Sequence, residues 1–226
     1  MEDKSINNEL GEVIYNQIHE MFDDSEVKKP IIIGINGVDT SGKTRFSKKL
    51  RTFLRNRGEE AEIIHLDDFH NHSSLRRQGR DEITAYINNA FNLEKLEKKV
   101  LKEIKEKGKL NIELELLDLG TDTFTNKRKY NISENTIVIL EGVLLYRKPI
   151  DEYLDYRIFI DIDFNEVIKR AKSRDVPIFG KSIISKYKNK YIPIQKWYLD
   201  TYKPRKKANI VINNNDYNHP KIKYIK

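Results

Sequence analysis

Gly37-Val38-Asp39-Thr40-Ser41-Gly42-Lys43-Thr44, read GVDTSGKT, is the stretch that decides the fold of this chain. It satisfies every fixed position of the pattern G-x-x-x-x-G-K-[ST]. An apolar run, IIIGI (31–35), stands before it. An amphipathic run from about Lys43 to Arg57, stopped by Gly58, follows it. That is strand, loop and helix in the required order. Gly37 and Gly42 let the backbone wrap closely, so the N–H groups across Asp39, Thr40 and Ser41 point at phosphate oxygens. The start of the helix adds a positive partial charge. Lys43 supplies a full charge for β- and γ-phosphates, and Thr44 a hydroxyl ligand for Mg²⁺.

Outward from this loop, short branched apolar runs alternate with helical patterns. Strands are expected at 62–66, 136–140, 157–160 and 208–212, and helices at about 81–89, 93–107, 165–173 and 182–202. Such alternation predicts an α/β domain with a parallel sheet covered on both faces. Residues 110–131 alternate apolar and polar around Gly120 and read as a β-hairpin outside the main sheet. The polar, basic segment 71–80 reads as a mobile loop. Ile6, Leu10, Val13, Ile14, Ile18, Met21 and Phe22 share one face of a helix over 5–24. The expected layout is therefore an amphipathic helix within 1–29 packed on a P-loop domain over 30–226.

A phosphate loop alone means nucleoside triphosphate binding. Neither Asn126-Lys127 nor Asn189-Lys190 has Asp two positions on, so the N-K-x-D guanine box of a GTPase is missing. The paired acids and greater length of a motor-type ATPase are missing too. Acids do close three strands, at Asp67-Asp68, Glu141 and Asp161. Ligands of parallel sheets bind at these carboxyl ends. Glu141 follows the most apolar strand, TIVIL, and suits the Mg²⁺ site. Asp67 precedes a loop that could carry an acceptor, and suits a base on the acceptor hydroxyl.

Composition narrows the partners. The chain has 226 residues, 38% hydrophobic and 34% charged, enough for one large domain with a core. A net charge of +7 admits anionic partners, but the lysines are scattered and no nucleic-acid-binding signature is present. The absence of cysteine excludes disulfides and thiolate catalysis. No apolar run approaches the length of a membrane span, and Met1 leads into a charged stretch, so a cytoplasmic location without membrane or nucleic-acid partners is expected.

Six segments together resemble the uridine kinase / phosphoribulokinase-like P-loop kinases. They are GINGVDTSGKT (34–44), LDDFH (66–70), AFNLEKL (90–96), VILEGVLLY (138–146), KRAKSRD (169–175) and KPRKKANIVIN (203–213). The resemblance covers about Ile31 to Pro220 and implies a three-layer fold on a sheet of five parallel strands. It places the acceptor base on Asp67 and the Mg²⁺ role on Glu141. It makes Arg170 and Arg174 part of a helical lid, about 170–185, that closes over the transferring phosphoryl group. Four-residue spacing puts both arginines on one helix face.

Departures from that family pattern bear on the acceptor. Uridine kinases typically carry F-D-H-P-x-A-F-D, whose first Asp grips ribose hydroxyls; here the stretch is YINNAFN, with Tyr86 in that place. The family's pyrimidine-framing tyrosine and histidine have no clear counterpart in LLDLGTDTF (116–124). The pattern resembles a divergent bacterial uridine kinase-like branch. His70, Arg80 and Tyr86 are the acceptor-side candidates. His70 and His72 form an H-x-H pair without a third metal ligand at recognisable spacing. The expected activity is phosphoryl transfer from Mg-ATP to a small-metabolite hydroxyl, a nucleoside such as uridine or cytidine being favoured. A pantothenate-, riboside- or sugar-like alcohol, and a nucleotide-binding regulator or nucleic-acid-end processor, stay as alternatives; a homo-oligomer is left open.

Overall fold

In this computed structural model, which describes residues 8–22 and 30–226, fourteen main elements follow one another. They are α1 (Asn8–Phe22), β1 (Ile31–Gly37), α2 (Lys43–Asn56), β2 (Ala61–His65), α3 (Glu82–Asn89), α4 (93–107), β3 (Leu110–Asp118), β4 (Thr123–Ile132), β5 (Ile137–Gly142), β6 (Tyr156–Asp161), α5 (Phe164–Arg174), α6 (183–202), β7 (Ile210–Asn213) and β8 (Lys221–Ile225). The helices α4 and α6 each contain a π turn, at Glu97–Leu101 and Tyr187–Tyr191.

The central sheet has the order β2-β5-β1-β6-β7-β8. Its first five strands are parallel, with Ile33 of β1 beside Ile139 of β5 on one side and Tyr156 of β6 on the other. Strand β1 is buried almost throughout because helices cover both faces, so its sequence is an unbroken apolar run rather than an alternation. Side chains still alternate between two cores. Ile32, Ile64, Val138, Leu140 and Phe159 face α4 and α6. Ile33, Ile35, Ile139, Ile158 and Ile160 pack with Leu10, Ile14 and Ile18 of α1 and with Phe46, Leu50 and Leu54 of α2.

Six strands replace the expected five. The sixth, β8, runs antiparallel to β7. Its residues KIKYI are all exposed, and Lys223 reaches back to Asp161 at 3.0 Å. An edge strand guarded by lysines carries no apolar run, so hydropathy does not reveal it. Two further expectations change. Met21 is half exposed instead of sharing the packed face of α1; Ile6 and the side chain of Phe22 lie outside the described residues. The strand expected over 62–66 ends at His65, and Asp67 sits in a 3₁₀ turn, Leu66–Phe69.

The hairpin β3–β4 stands apart as a two-stranded sheet with a register shift at Leu116/Leu117. At its tip, Asp118 accepts from the N–H groups of Gly120 and Thr121. Asp122 reaches the segment expected to be mobile: its carboxylate accepts from Ser73 N–H at 3.0 Å and Arg76 at 3.0 Å, and lies 3.2 Å from His72. Loop 71–80 is thereby pinned at Ser73 and Arg76, not left free.

Candidate active site

Strand β1 lies between β5 and β6, and the chain turns one way from β1 toward β2 and the other toward β7. The loop after β1 therefore opens at the topological switch point of the sheet, where α/β folds bind ligands. Thr40 and Gly42 have φ of 59° and 95°. Left-handed residues interleaved with right-handed ones turn successive N–H groups to one side and form an anion-binding nest. A β-branched residue rarely adopts positive φ. Thr40 is held there because its hydroxyl donates to Val167 O at 3.3 Å and its carbonyl accepts from Arg170 at 3.2 Å. At Gly37 a Cβ would meet Ile160 O at 2.5 Å, so only glycine lets β1 and β6 approach there. Lys43 is buried, its ammonium donating to Val38 O at 2.9 Å, and Ser41 Oγ is buried with no hydrogen-bond partner among the described residues.

On the other side of the loop, Thr44 Oγ1 donates to Glu141 Oε1 at 2.9 Å, and His65 Nδ1 approaches the same oxygen at 2.6 Å. Burial pushes the Glu141 carboxyl up, but the His65 hydrogen bond and the Lys43 and His65 charges outweigh it and hold it below the ordinary range. A hydroxyl and an ionised carboxylate are oxygen ligands of the kind Mg²⁺ takes, with phosphate and water oxygens completing the shell. Among the described residues no cluster of three His, Asp or Glu could cage a metal alone. Asp161 faces elsewhere. It accepts from Arg205 at 2.7 Å and Lys223 at 3.0 Å, tying the last strand and the turn before β7 to the sheet.

The two acids after β2 part company in the 3₁₀ turn. Asp67 is exposed, and among the described residues nothing donates to its carboxylate; its carbonyl accepts from His70 Nδ1 at 2.7 Å. His70 in turn leans on the Phe91 ring at 4.5 Å. Asp68 turns to the hairpin, 2.8 Å from Arg128 and 3.5 Å from the Tyr130 hydroxyl. Burial raises its carboxyl. Tyr86 is half-buried, and its phenol is pushed up by burial and by the nearby Asp39 and Asp67 carboxylates. His70, Tyr86 and Asp67 thus gather on one side of the crevice. Arg80 does not join them: its side chain is 93% exposed, and its one ionic neighbour among the described residues is Asp81, 4.0 Å away.

The two arginines of α5 also separate. Arg170 is a strut: it pairs with Glu166 and donates to the carbonyls of Thr40, Ser41, Asn214 and Asn215. That is not the free lid position expected for it. Arg174 is more exposed and pairs with Asp175 at 2.6 Å; both arginines line a cavity of about 330 Å³ shared with Lys43 and Thr44. Tyr217 walls this cavity, its ring between the guanidiniums of Arg45 (4.6 Å) and Arg170 (4.5 Å). A larger cavity, about 820 Å³, lies between α4 and the base of the hairpin and contains no P-loop residue.

Several participants escaped the motif reading. Gln195 accepts from Asp39 N–H at 3.0 Å and donates to its carboxylate, so this N–H is not free for a phosphate as expected. Asn214 donates to Ser41 O at 2.7 Å. The Asn213-Asn214-Asn215 run at the carboxyl end of β7 is a signal that could have found Asn214; nothing local marks Gln195, His65 or Tyr217.

A parallel sheet with a nucleotide-type loop at its switch point and a strand-end carboxylate on the loop threonine defines a P-loop kinase fold. A profile of the phosphoribulokinase / uridine kinase family matches residues 32–216, and the chain belongs to that family. It is 32% identical over 205 residues to a uridine kinase of Clostridium tetani, covering 88% of this chain and 93% of that one. It is 28% identical over 180 residues to a uridine kinase of Ligilactobacillus salivarius, covering 77% and 82%. Among solved structures, a possible uridine kinase from Bacillus stearothermophilus superposes with a TM-score of 0.68 at 25% identity, covering 90% of this chain and 98% of that one. These relatives make the chain a kinase.

Proposed function

We propose that this kinase transfers the γ-phosphoryl group of Mg-ATP to a hydroxyl of a small metabolite, with a pyrimidine ribonucleoside such as uridine or cytidine the first candidate. One observation carries the reading: the Thr44–Glu141 pair stands beside Lys43, and the charges of Lys43 and of the exposed Asp67, whose carboxylate has no donor among the described residues, both reach Asp39. Triphosphate and acceptor would therefore meet between a cation-binding wall and a base. Mg²⁺, where bound, neutralises charge on the β- and γ-phosphate oxygens. The P-loop N–H groups and Lys43 hold the phosphates. Asp67 orients the acceptor hydroxyl and takes its proton as the oxygen bonds to phosphorus and the ADP oxygen leaves. Arg174, the more exposed of the two arginines lining the cavity, stabilises charge on the phosphoryl group in transit. The uridine kinases among the relatives favour a nucleoside, and a cytoplasmic location suits a metabolite kinase.

The test is transfer of label from γ-labelled ATP to a panel of nucleosides, pantothenate and sugars, with Lys43→Ala beside the parent. Labelled uridine or cytidine from the parent and none from a folded Lys43→Ala variant is the expected result. A parent that binds Mg-ATP but labels no acceptor would place the chain among nucleotide-binding regulators.

A further inference from the structure

The acceptor side of the crevice holds a carboxylate that the phosphoryl-transfer chemistry does not use. Asp39 lies within the P-loop, yet both its backbone N–H and its carboxylate are engaged by a side chain of another helix. Gln195, buried in α6, brackets it by accepting from its N–H at 3.0 Å and donating to Oδ2. This fixes the carboxylate plane and leaves Oδ1 with no donor among the described residues; burial raises the carboxyl, while the Lys43 and Arg174 charges and the Gln195 hydrogen bond pull it part of the way back down. Around it stand aromatic rings of two other elements. Tyr86 of α3 and Tyr191 of α6 meet edge to face at 6.0 Å, and Tyr191 meets Tyr187 at 5.3 Å. Tyr187 spends its hydroxyl on Asp175 at 2.6 Å. The phenols of Tyr86 and Tyr191 have no hydrogen-bond partner among the described residues, and both feel the charge of Asp39.

An oriented carboxylate oxygen and two unpaired phenols converging beside Asp67 form a place for a molecule bearing several hydroxyls. We propose that Asp39 accepts a hydrogen bond from a second hydroxyl of the acceptor, one that is not phosphorylated, while Asp67 serves the hydroxyl that is. The inference rests on the kinase reading and deepens it by naming the acceptor class: a polyol such as a ribonucleoside, in preference to its deoxy counterpart. Gln195 is a positioning residue acting through Asp39. The walls of Tyr86 and Tyr191 suit a flat ring on the acceptor, because aromatic side chains pack such rings edge-on or offset.

The experiment is a cycle between protein and acceptor. Uridine and cytidine are compared with their 2′-deoxy and 3′-deoxy forms, using the parent, Asp39→Asn and Gln195→Leu. The parent is expected to lose about ten- to a hundredfold in kcat/KM on at least one deoxy form, the loss typical of one hydrogen bond to a charged group. Asp39→Asn is expected to lose a similar factor on the ribonucleoside and to discriminate little between the two forms. Gln195→Leu gives a smaller loss of the same kind, as KM more than kcat. Mg-ATP binding by calorimetry stays near the parent's in Asp39→Asn, which separates a lost contact from a collapsed loop. An Asp39→Asn enzyme that keeps the parent's full discrimination overturns the inference and leaves the kinase reading standing. A loss of Mg-ATP affinity equal to the loss in kcat/KM overturns it too, since Asp39 would then be supporting the phosphate loop. A parent inactive on every acceptor removes the kinase reading itself.

Discussion

The hydroxyl of Thr44 donates to the carboxylate of Glu141 at 2.9 Å, joining the first turn of α2 to the end of β5 across the mouth of the P-loop. The three acids that close strands in the sequence thus differ in their partners: Asp161 accepts from Arg205 and Lys223, while nothing among the described residues donates to the carboxylate of Asp67.

Glu141→Gln keeps the shape of the side chain and removes its charge. Mg²⁺ titrations of activity should shift by about 10–100-fold to higher concentration, the range seen when groups around a metal are lost. Asp161→Asn should leave the Mg²⁺ titration alone and lower stability by about 1–2 kcal/mol through its hydrogen bonds to charged groups. At this chain length that is a fall in Tm of roughly 2–8 °C. Coincident Mg²⁺ curves for Glu141→Gln and the parent would exclude Glu141 from the metal site.

Arg170 and Arg174 should fail differently. Arg170→Ala removes four bonds to the carbonyls of the P-loop and of residues 214–215. A lower Tm and weaker ATP binding are expected, measured by thermal melts and calorimetry. Arg174→Ala should leave both near the parent's and lower kcat tenfold or more, about 1.4 kcal/mol of transition-state stabilisation. A fall in kcat alone, at unchanged Tm, for Arg170→Ala would make it the phosphoryl-binding arginine instead.

Asp67→Asn should bind Mg-ATP normally and lose about a hundredfold or more in transfer to any acceptor, the usual share of a general base. Asp68→Asn should spare turnover, because Asp68 is occupied by Arg128 and Tyr130 of the hairpin. Steady-state kinetics on the two variants decide it; a dead Asp68→Asn beside an active Asp67→Asn would move the base by one residue.

Asp151 offers a test of stability against pH. Burial raises its carboxyl, but hydrogen bonds from Lys207 and Arg157 more than compensate and hold it below 3.8. A depressed carboxyl stabilises the fold above the unfolded value and loses that contribution as pH falls through the folded one. As pH falls from about 5 through the ordinary carboxylate range and below it, the parent should therefore lose more Tm than Asp151→Asn does. Equal acid-side losses would mean that the Arg157–Asp151–Lys207 cluster contributes nothing.

Much of the frame was legible because it is written in local chemistry. Fully buried parallel strands must be apolar runs, and Ile31–Gly37 and Ile137–Gly142 are. The hairpin showed as alternation because one of its faces packs on the domain while the other meets water. β8 did not show, since an edge strand with five exposed residues has no burial to write into its sequence. Loop 71–80 looked mobile from its polarity, while the contact that pins it, Asp122 to Ser73, spans 49 residues.

At the site the same division holds. Eight consecutive residues were enough to announce a phosphate-binding loop, because wrapping angles, helix start, lysine and hydroxyl all lie within one short backbone path. The spacing of Arg170 and Arg174 announced a shared helix face for the same reason. Only the tertiary structure decided what each does, because their partners come from distant chain: Asn214, 44 residues on, captures Arg170, and Gln195, 156 residues on, orients Asp39. A side chain's role depends on the field and the hydrogen bonds around it. Sequence states those only when they are made by near neighbours.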